Sequence, residues 1–294
     1  MANSKIYILL FLLSLSVLSC KHEPAPPERM IVEGWIDKDG FPFVILHRSY
    51  VFAEHENNDG TIEDVIKNQM VIFGRVVISD GEREVVLTGR VDTNFMPPYV
   101  YTTAEMKGEV GKEYFLTATY GDLSATASTT ILPPKTIDSI TVQEDEKGRM
   151  NVVMHLSGFS QDSMSYYAVF VRQLPSRQFY FAPISNFDNS KATAGSLKIN
   201  VYDPFSSAQI ETLSMFKPFP KDTSNVYQIK LARIDRDAYS FWEDYANQSV
   251  MQGMFYVPVY TNMRSNISGG YGVWTGMGGM NCFIKTAKDT TSIP

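Results

Sequence analysis

The two cysteines are the side chains of this sequence best suited to covalent chemistry, and their surroundings differ. Cys20 directly follows the apolar stretch Ile6 to Leu18, whereas Cys282 lies within the apolar run Cys282-Phe283-Ile284. A thiol reacts as its thiolate, and apolar burial disfavours the thiolate. We therefore expect Cys282 to be a buried, inert thiol. Since Cys282 is the only cysteine after Cys20, we expect no intramolecular disulfide.

The stretch before Cys20 is typical of an export signal. Lys5 supplies a positive charge, Ile6 to Leu18 is apolar apart from one tyrosine and two serines, and the small Ser19 precedes the thiol. An apolar core of ~7–15 residues that ends at a small residue is too short to span a membrane. A cysteine here resembles a bacterial lipoprotein signal, in which the thiol is acylated and becomes the mature N-terminus. We predict a signal peptide over 1–19 and a lipid such as palmitate on Cys20; the alternative is an ordinary signal followed by a chance cysteine.

The nearest approach to a metal-binding motif is the acidic segment 55–62, HENNDGTI. Gly60 and Ile62 fall where a calcium-binding EF-hand loop has its turn glycine and its central apolar residue. His55 replaces the first carboxylate and Ile66 the bidentate glutamate, although calcium requires oxygen ligands there. We predict a solvated surface loop over 53–64 and no metal site, and leave open whether the loop binds a cation.

No other pattern indicates catalysis or a cofactor. The glycines of Ser268 to Met280 lack the Lys-Ser/Thr and the helix of a phosphate-binding loop, so we expect them to permit bulges and close backbone approach. The sequence has no G-x-S-x-G elbow, and its histidines lack the spacing of a zinc protease. We predict no catalytic residues, metal or cofactor. The remaining chemistry-bearing residues are His22, His47, His155 and the acid pairs Glu63/Asp64 and Glu243/Asp244.

The bulk composition excludes some partners and favours strands. The chain has 294 residues, 26 basic and 32 acidic side chains and a formal net charge of −6. A mildly acidic chain without a basic run argues against nucleic acid as a partner. Aromatic residues make up 13% of the chain, and Val, Thr and Ile are frequent, which favours β-structure. The predicted fold class is mainly β.

The first half of the chain predicts a β-sandwich of the immunoglobulin or transthyretin kind over residues 30–132. A proline-rich tether covers 20–29, and Pro133-Pro134 marks the boundary because consecutive prolines cannot continue a ladder. Asp80-Gly81 predicts a type I′ hairpin turn and Gly121-Asp122 a type II′ turn. The predicted strands are Met30–Ile36, Phe43–Leu46, Val71–Ser79, Glu84–Leu87, Tyr114–Tyr120 and Ser124–Thr130.

The second half predicts a strand-rich domain over 136–290 with one helix at about 235–250. Asp235 is placed to cap the helix, Asp237 complements its dipole, and Gly253 is placed to end it. Trp242 shares a helical stripe with Ala238 and Tyr245, so we expect it to pack into the core rather than form a ligand platform. The predicted strands are Ser139–Val142, Val152–Leu156, Tyr166–Arg172, Leu197–Val201, Val226–Ala232 and a last one through Cys282–Ile284, with a polar connection at Ser185–Gly195.

Two further groups of side chains have alternative interpretations. Tyr239, Phe241, Trp242 and Tyr245 on the helix form either a ligand platform or part of the core. Trp274, Met277 and Met280 near the C-terminus form either a soft binding patch or part of the core, and Asn266 is expected to cap or shape a turn.

Several short strings occur in a characteristic order along the chain. They are IVEGWI at 31–36, PP at 133–134, IDSI at 137–140, YY at 166–167, QIKL at 228–231, ID at 234–235 followed by the aromatic helix, SNISGG at 265–270 and GVW at 272–274. This order resembles the domain of unknown function 4249 family of Gram-negative outer-membrane lipoproteins. The family often accompanies TonB-dependent receptors, so the resemblance implies an outer-membrane protein beside an uptake channel. It carries no catalytic residue onto this chain.

These observations favour a non-enzymatic, lipid-anchored outer-membrane protein that serves as an accessory or binding module of a TonB-dependent uptake system. The expected partners are the membrane, through the lipid, and a TonB-dependent receptor, with no nucleic acid. A structural or adhesive envelope lipoprotein and a surface hydrolase are the alternatives. The ligand and the side of the outer membrane that the protein faces stay open.

Overall fold

The computed structural model of the chain describes residues 27–49, 69–95, 98–160, 162–205, 217–255, 263–286 and 290–292. Apart from 27–28, these residues belong to one compact unit, formed by 29–49 and 60–294. The fold is mainly β, as predicted. Its elements are β1 (Met30–Asp37), β2 (Pro42–Arg48), β3 (Arg75–Ser79), β4 (Glu84–Val86), β5 (Thr88–Val91), β6 (Tyr99–Thr102), β7 (Glu113–Tyr120), β8 (Leu123–Thr130), β9 (Ser139–Glu144), β10 (Met150–Leu156), β11 (Tyr166–Gln173), β12 (Tyr180–Phe181), β13 (Phe187–Asp188), a 3-10 turn (Asn189–Lys191), β14 (Leu197–Val201), β15 (Asp222–Ile234), α1 (Arg236–Phe255), β16 (Gly270–Thr286) and β17 (Thr290–Ser292).

The described strands form three sheets in a sandwich-like arrangement. The central sheet has nine strands in the order β12-β11-β15-β16-β1-β2-β6-β5, with β13 also paired to β11. The first flanking sheet has the order β4-β3-β7-β8, and the second has the order β14-β10-β9-β17. Apolar residues of β1, β2 and β16 pack with the first flanking sheet, and those of β11, β15 and β16 pack with the second.

The 17-residue strand β16 joins the two halves of the central sheet. It runs parallel to β1, from Met30 opposite Gly270 to Asp37 opposite Met277, and antiparallel to β15. Gly272 has φ +113°, and a Cβ there would overlap the carbonyl oxygen of Val32. The glycine-rich segment therefore lies inside a strand and permits close backbone approach, which confirms its predicted structural role.

The predicted domain boundary falls between β8 and β9, but the residues on either side are not separate compact units. Trp274 of β16 is fully buried in the core of the first half, and its indole N–H donates to the Tyr114 carbonyl oxygen at 2.9 Å. The reason is topological: β1 needs β16 as its neighbour, and β16 comes from the end of the chain. Pro133 and Pro134 therefore separate two sets of strands that share one sheet.

One predicted hairpin turn is confirmed and the other is wrong. Tyr120 pairs with Leu123 across a two-residue turn in which Gly121 has φ +55°. By contrast, Ser79 pairs with Glu84, so residues 80–83 form a four-residue connection in place of the type I′ turn at Asp80-Gly81. The Asp80 carboxylate accepts the backbone N–H groups of residues 82 and 83, at 3.2 and 3.0 Å. These side-chain hydrogen bonds favour the wider turn.

Candidate functional site

The candidate site lies on the face of the central sheet that the flanking sheets leave open. Along β1, Val32 and Ile36 are fully buried in the core, while the alternate residues Glu33, Trp35 and Asp37 lie on the opposite face. Successive side chains of a strand point to opposite faces, so this alternation follows from the VEGWID string itself.

Helix α1 is anchored over this open face by a chain of hydrogen bonds at its N-terminus. The Asp235 carboxylate accepts the backbone N–H of Ala238 at 2.8 Å, which confirms the predicted cap. The Thr129 hydroxyl donates to the same carboxylate at 2.6 Å and accepts the backbone N–H of Gly276 at 2.7 Å. Burial raises the pKa of Asp235 despite these hydrogen bonds. The helix is thereby fixed to β8 and β16, and it extends to Phe255, so Gly253 lies within the helix and the prediction that it ends the helix is wrong.

A concavity of about 380 Å³, including its open mouth, lies between α1 and β1. We call it the aromatic concavity. Its lining comes from β1, β11, β15, β16, α1 and the segment that follows β11. The lining residues are Glu33, Gly34, Trp35, Phe170, Phe179, Lys230, Trp242, Val273 and Met277.

Contacts between neighbouring aromatic rings hold the two tryptophans of the concavity in place. Trp242 packs edge-on against Phe170 at 5.1 Å between centroids and stacks on Phe181 at 5.0 Å. Trp35 stacks on Phe43 at 5.6 Å and lies 6.1 Å from Phe95. Such ring pairs are directional as well as apolar, so they fix the orientation of both tryptophans.

Lys230 supplies a buried cation to the lining, and Asp37 neutralises it. Lys230 is only 3% exposed, and its ammonium group donates to both carboxylate oxygens of Asp37 at 2.7 Å. The same ammonium nitrogen lies 4.1 Å from the ring centroid of Phe179, within cation–π range. The donors of Lys230 are therefore directed to groups of the protein itself.

Glu33 supplies a second charge, which none of the described residues compensates. Its side chain is exposed to the concavity, and among the described residues it has neither a hydrogen-bond nor an ion-pair partner. Burial by the surrounding protein raises the pKa of its carboxyl, with no charged group contributing. The Glu33 side chain is exposed, yet its pKa is raised, because its carboxyl faces a concavity with low-dielectric walls rather than open solvent.

Two polar atoms of α1 and β16 are buried without hydrogen-bond partners in the described part of the chain. One is the buried indole nitrogen of Trp242, and the other is the hydroxyl of Thr275. Thr275 is fully buried on β16 between Val273 and Met277 and pairs in register with Trp35. The Trp242 ring lines the aromatic concavity, whereas Thr275 is not one of its lining residues.

The comparison with protein families gives one result. The family described as Domain of unknown function (DUF4249) matches residues 18–279. The chain belongs to this family. The matched range covers every residue that lines the aromatic concavity, and it confirms the resemblance drawn from the order of the strings. A search of curated proteins returns no match.

Several residues singled out in this DUF4249 chain lie outside the described ranges. These are the signal segment 1–19, Cys20, most of the tether, and the loop 53–64 with its candidate cation ligands. Their assignments stay predictions. Within the described ranges, no group of three His, Cys, Asp or Glu side chains is placed to hold a metal ion. Nor is any described helix both long and apolar enough to cross a membrane.

The described candidates from the sequence do not converge on one site. Cys282 is a free thiol, 2% exposed, and burial raises its pKa, as predicted for an inert cysteine. Glu243 and Asp244 both pair with Arg264, at 2.8 and 2.7 Å. Asn266 shapes a turn by bonding the backbone N–H and carbonyl oxygen of Trp274, at 2.9 and 2.7 Å.

The two aromatic groups have different outcomes. Trp274 lies in the first core and Met277 beneath α1, so the patch with Met280 does not form. On the helix, Tyr239 is buried and Tyr245 is 43% exposed. Trp242 packs on the core as predicted, but it also lines the aromatic concavity. The Trp242 ring therefore packs against the core and also forms part of the wall of the concavity.

Sequence reasoning missed Glu33, Trp35 and Lys230. The signal for the first two was present, since an acidic and an aromatic residue at i and i+2 of a strand share one face. Lys230 interrupts the apolar QIKLA run, and a lysine there is unusual because isolated charges are rarely buried. Its partner Asp37 is 193 residues away, so no local pattern links them.

Proposed function

We propose that this protein is a non-enzymatic, lipid-anchored binding module of the outer membrane that serves a TonB-dependent uptake system. The observation that carries the binding role is the aromatic concavity, whose lining combines fixed aromatic walls with a carboxylate that has no partner among the described residues. Ligand sites are mostly apolar and aromatic, with a few polar groups that fix orientation. The anchoring part of the proposal rests on Cys20 and the apolar segment before it.

The geometry favours binding over hydrolysis. A glycosidase needs two carboxyl groups ~5–10 Å apart on either side of the scissile bond. The nearest acid on the same face of β1 is Asp37, four residues along the strand, so its Cα lies ~13 Å from that of Glu33. Asp37 is also held by Lys230. On its own strand, Glu33 thus has no second carboxylate in position to share acid–base work.

Membrane attachment is tested with the two cysteines as a matched pair. We expect Cys20→Ala to remove the protein from the outer-membrane fraction, and Cys282→Ala to leave it there, because only Cys20 follows the export segment. Fractionation with an immunoblot measures both. Processed Cys20→Ala protein retained in membranes at the wild-type level would contradict the anchor.

The uptake role is tested by purifying the tagged, lipidated protein from outer membranes. We expect a TonB-dependent receptor to co-purify in a fixed ratio and to be lost when the tagged protein is the Cys20→Ala variant. Recovery of the protein without such a receptor, after chemical crosslinking, would favour a structural envelope lipoprotein instead.

A further inference from the structure

The two charged side chains that line the aromatic concavity differ in whether a protein group already pairs with them. Lys230 and Glu33 are its two charged residues. Asp37 accepts two hydrogen bonds from the Lys230 ammonium, and the Phe179 ring lies against the same nitrogen. Glu33 has no such partner within the described residues. The charge left for a ligand is therefore negative.

The aromatic walls suit a positive charge as well. The face of an aromatic ring is electron-rich and attracts a cation within ~6 Å of its centroid, most strongly for tryptophan. Phe179 already holds Lys230 in this way, and the Arg172 guanidinium lies 4.7 Å from the same ring centroid. Trp35 and Trp242 line the concavity and take part in no such cation contact among the described residues. Their rings remain for a ligand.

We infer that the ligand of the aromatic concavity is a small organic cation, with an ammonium group on an apolar body. The inference rests on the proposed binding function and specifies its ligand class. Glu33 would pair with the ammonium group, while Trp35 and Trp242 would pack against the apolar body and the charge. A ligand anion would instead have to displace Asp37 from Lys230.

The charged neighbourhood supports this assignment. Burial alone raises the pKa of the Glu33 carboxyl. A bound cation would stabilise the carboxylate and lower that pKa, so ligand binding and proton release are coupled. Burial also lowers the pKa of His47, which leaves it neutral at pH 7. The charged and histidine side chains on the elements around Glu33 include Asp37 on β1, His47 and Arg48 on β2, Arg172 on β11, Lys230 and Arg233 on β15, Lys285 on β16, and Arg236, Asp237, Glu243 and Asp244 on α1.

The test uses three probes of nearly equal shape and different charge. They are phenethylamine, 2-phenylethanol and phenylacetate, titrated at pH 7 into the lipidated chain in detergent micelles. The protein has three tryptophans, so selective indole ¹⁵N labelling gives three N–H signals, and the spectrum of Trp242→Phe identifies the signal of Trp242, one of the two tryptophans in the lining. We expect phenethylamine to shift that signal in a saturable way, and the neutral and anionic probes to bind at least about tenfold more weakly.

Glu33→Gln is the decisive variant, and Glu243→Gln is its matched control because Glu243 pairs with Arg264 outside the lining. We expect Glu33→Gln to weaken phenethylamine binding about tenfold and to leave 2-phenylethanol binding unchanged. Glu243→Gln should alter neither. Lowering the pH should weaken phenethylamine binding to the wild-type protein as Glu33 takes up a proton, and this dependence should vanish in Glu33→Gln.

The possible results distinguish a failure of the cationic-ligand inference from a failure of the proposed function. Equal binding of all three probes, or unchanged phenethylamine binding in Glu33→Gln, would overturn the cationic ligand and leave the binding module intact. Preferential binding of phenylacetate would overturn it in favour of Lys230 as the anchor. Loss of membrane attachment or of the receptor bears on the proposed function alone, because neither measurement involves the concavity.

Discussion

The buried ion pair between Lys230 and Asp37 gives the sharpest test of how this fold holds its open face together. The pair joins β15 to β1 across the intervening strand β16, between residues 193 positions apart. The Lys230 side chain is 4% exposed and the Asp37 side chain 26%. The two partners are therefore not equivalent: an unpaired Asp37 can be hydrated, whereas an unpaired Lys230 ammonium cannot.

We expect Asp37→Asn to be the more damaging single change. Removing one partner of a buried ion pair costs ~3–5 kcal/mol, and the partial hydration of Asp37 places this variant near the lower value. Lys230→Met keeps most of the apolar stem and leaves a carboxylate in reach of water, so it should cost only ~1–2 kcal/mol. The double variant should be about as stable as Lys230→Met alone, because no unpaired charge then stays buried.

Equilibrium urea unfolding measures these free energies, and the coupling follows from the double-mutant cycle. The cycle should give a coupling of ~3 kcal/mol, equal to the loss in Asp37→Asn, and it should change little with salt because buried pairs are weakly screened. A loss of under ~1 kcal/mol in Asp37→Asn, or a double variant whose loss equals the sum of the single losses, would refute the asymmetry. The pair would then behave as a hydrated surface contact.

Three further predictions follow from the packing of particular residues. Trp242→Ala should lower the free energy of unfolding by ~2–4 kcal/mol. This is just below the range for a fully buried aromatic residue, because the Trp242 ring is half-buried. An unchanged thermal midpoint would contradict its packing role. Gly272→Ala should lower the free energy of unfolding by more than ~3 kcal/mol, because it combines a positive φ with overlap of the new Cβ on Val32. Gly81→Ala has a positive φ but open space around it, so it should lower the free energy of unfolding by only ~1–2 kcal/mol. Equal denaturation midpoints for the two variants would count against the close approach at Gly272. An isolated segment of residues 28–133 lacks β16 and Trp274, so we expect its amide NMR spectrum to be that of a disordered chain. A well-dispersed spectrum would instead support a separate β-sandwich domain over 30–132.

The local features of the sequence were sufficient to predict most individual elements. Alternation of apolar residues predicted β3 and β7, and Gly121-Asp122 predicted the hairpin between β7 and β8, because strand period and turn conformation depend on neighbouring residues. Asp235 marked the helix start for the same reason. The wider turn after Ser79 was missed because the Asp80 side chain competes with the two-residue turn for backbone N–H groups.

The sequence by itself determined the β class, the helix cap, the burial of Cys282 and the family to which the chain belongs. Only the tertiary structure decided the parallel pairing of β1 with β16, which brings together residues about 240 positions apart. Strand pairing over such a distance depends on the register between whole surfaces and leaves no periodic mark in either strand. The aromatic concavity depends on that pairing. Glu33 looks like an ordinary outward-facing acid in its own strand, and it becomes a candidate ligand group only because β16 and α1 place Val273, Met277 and Trp242 beside it.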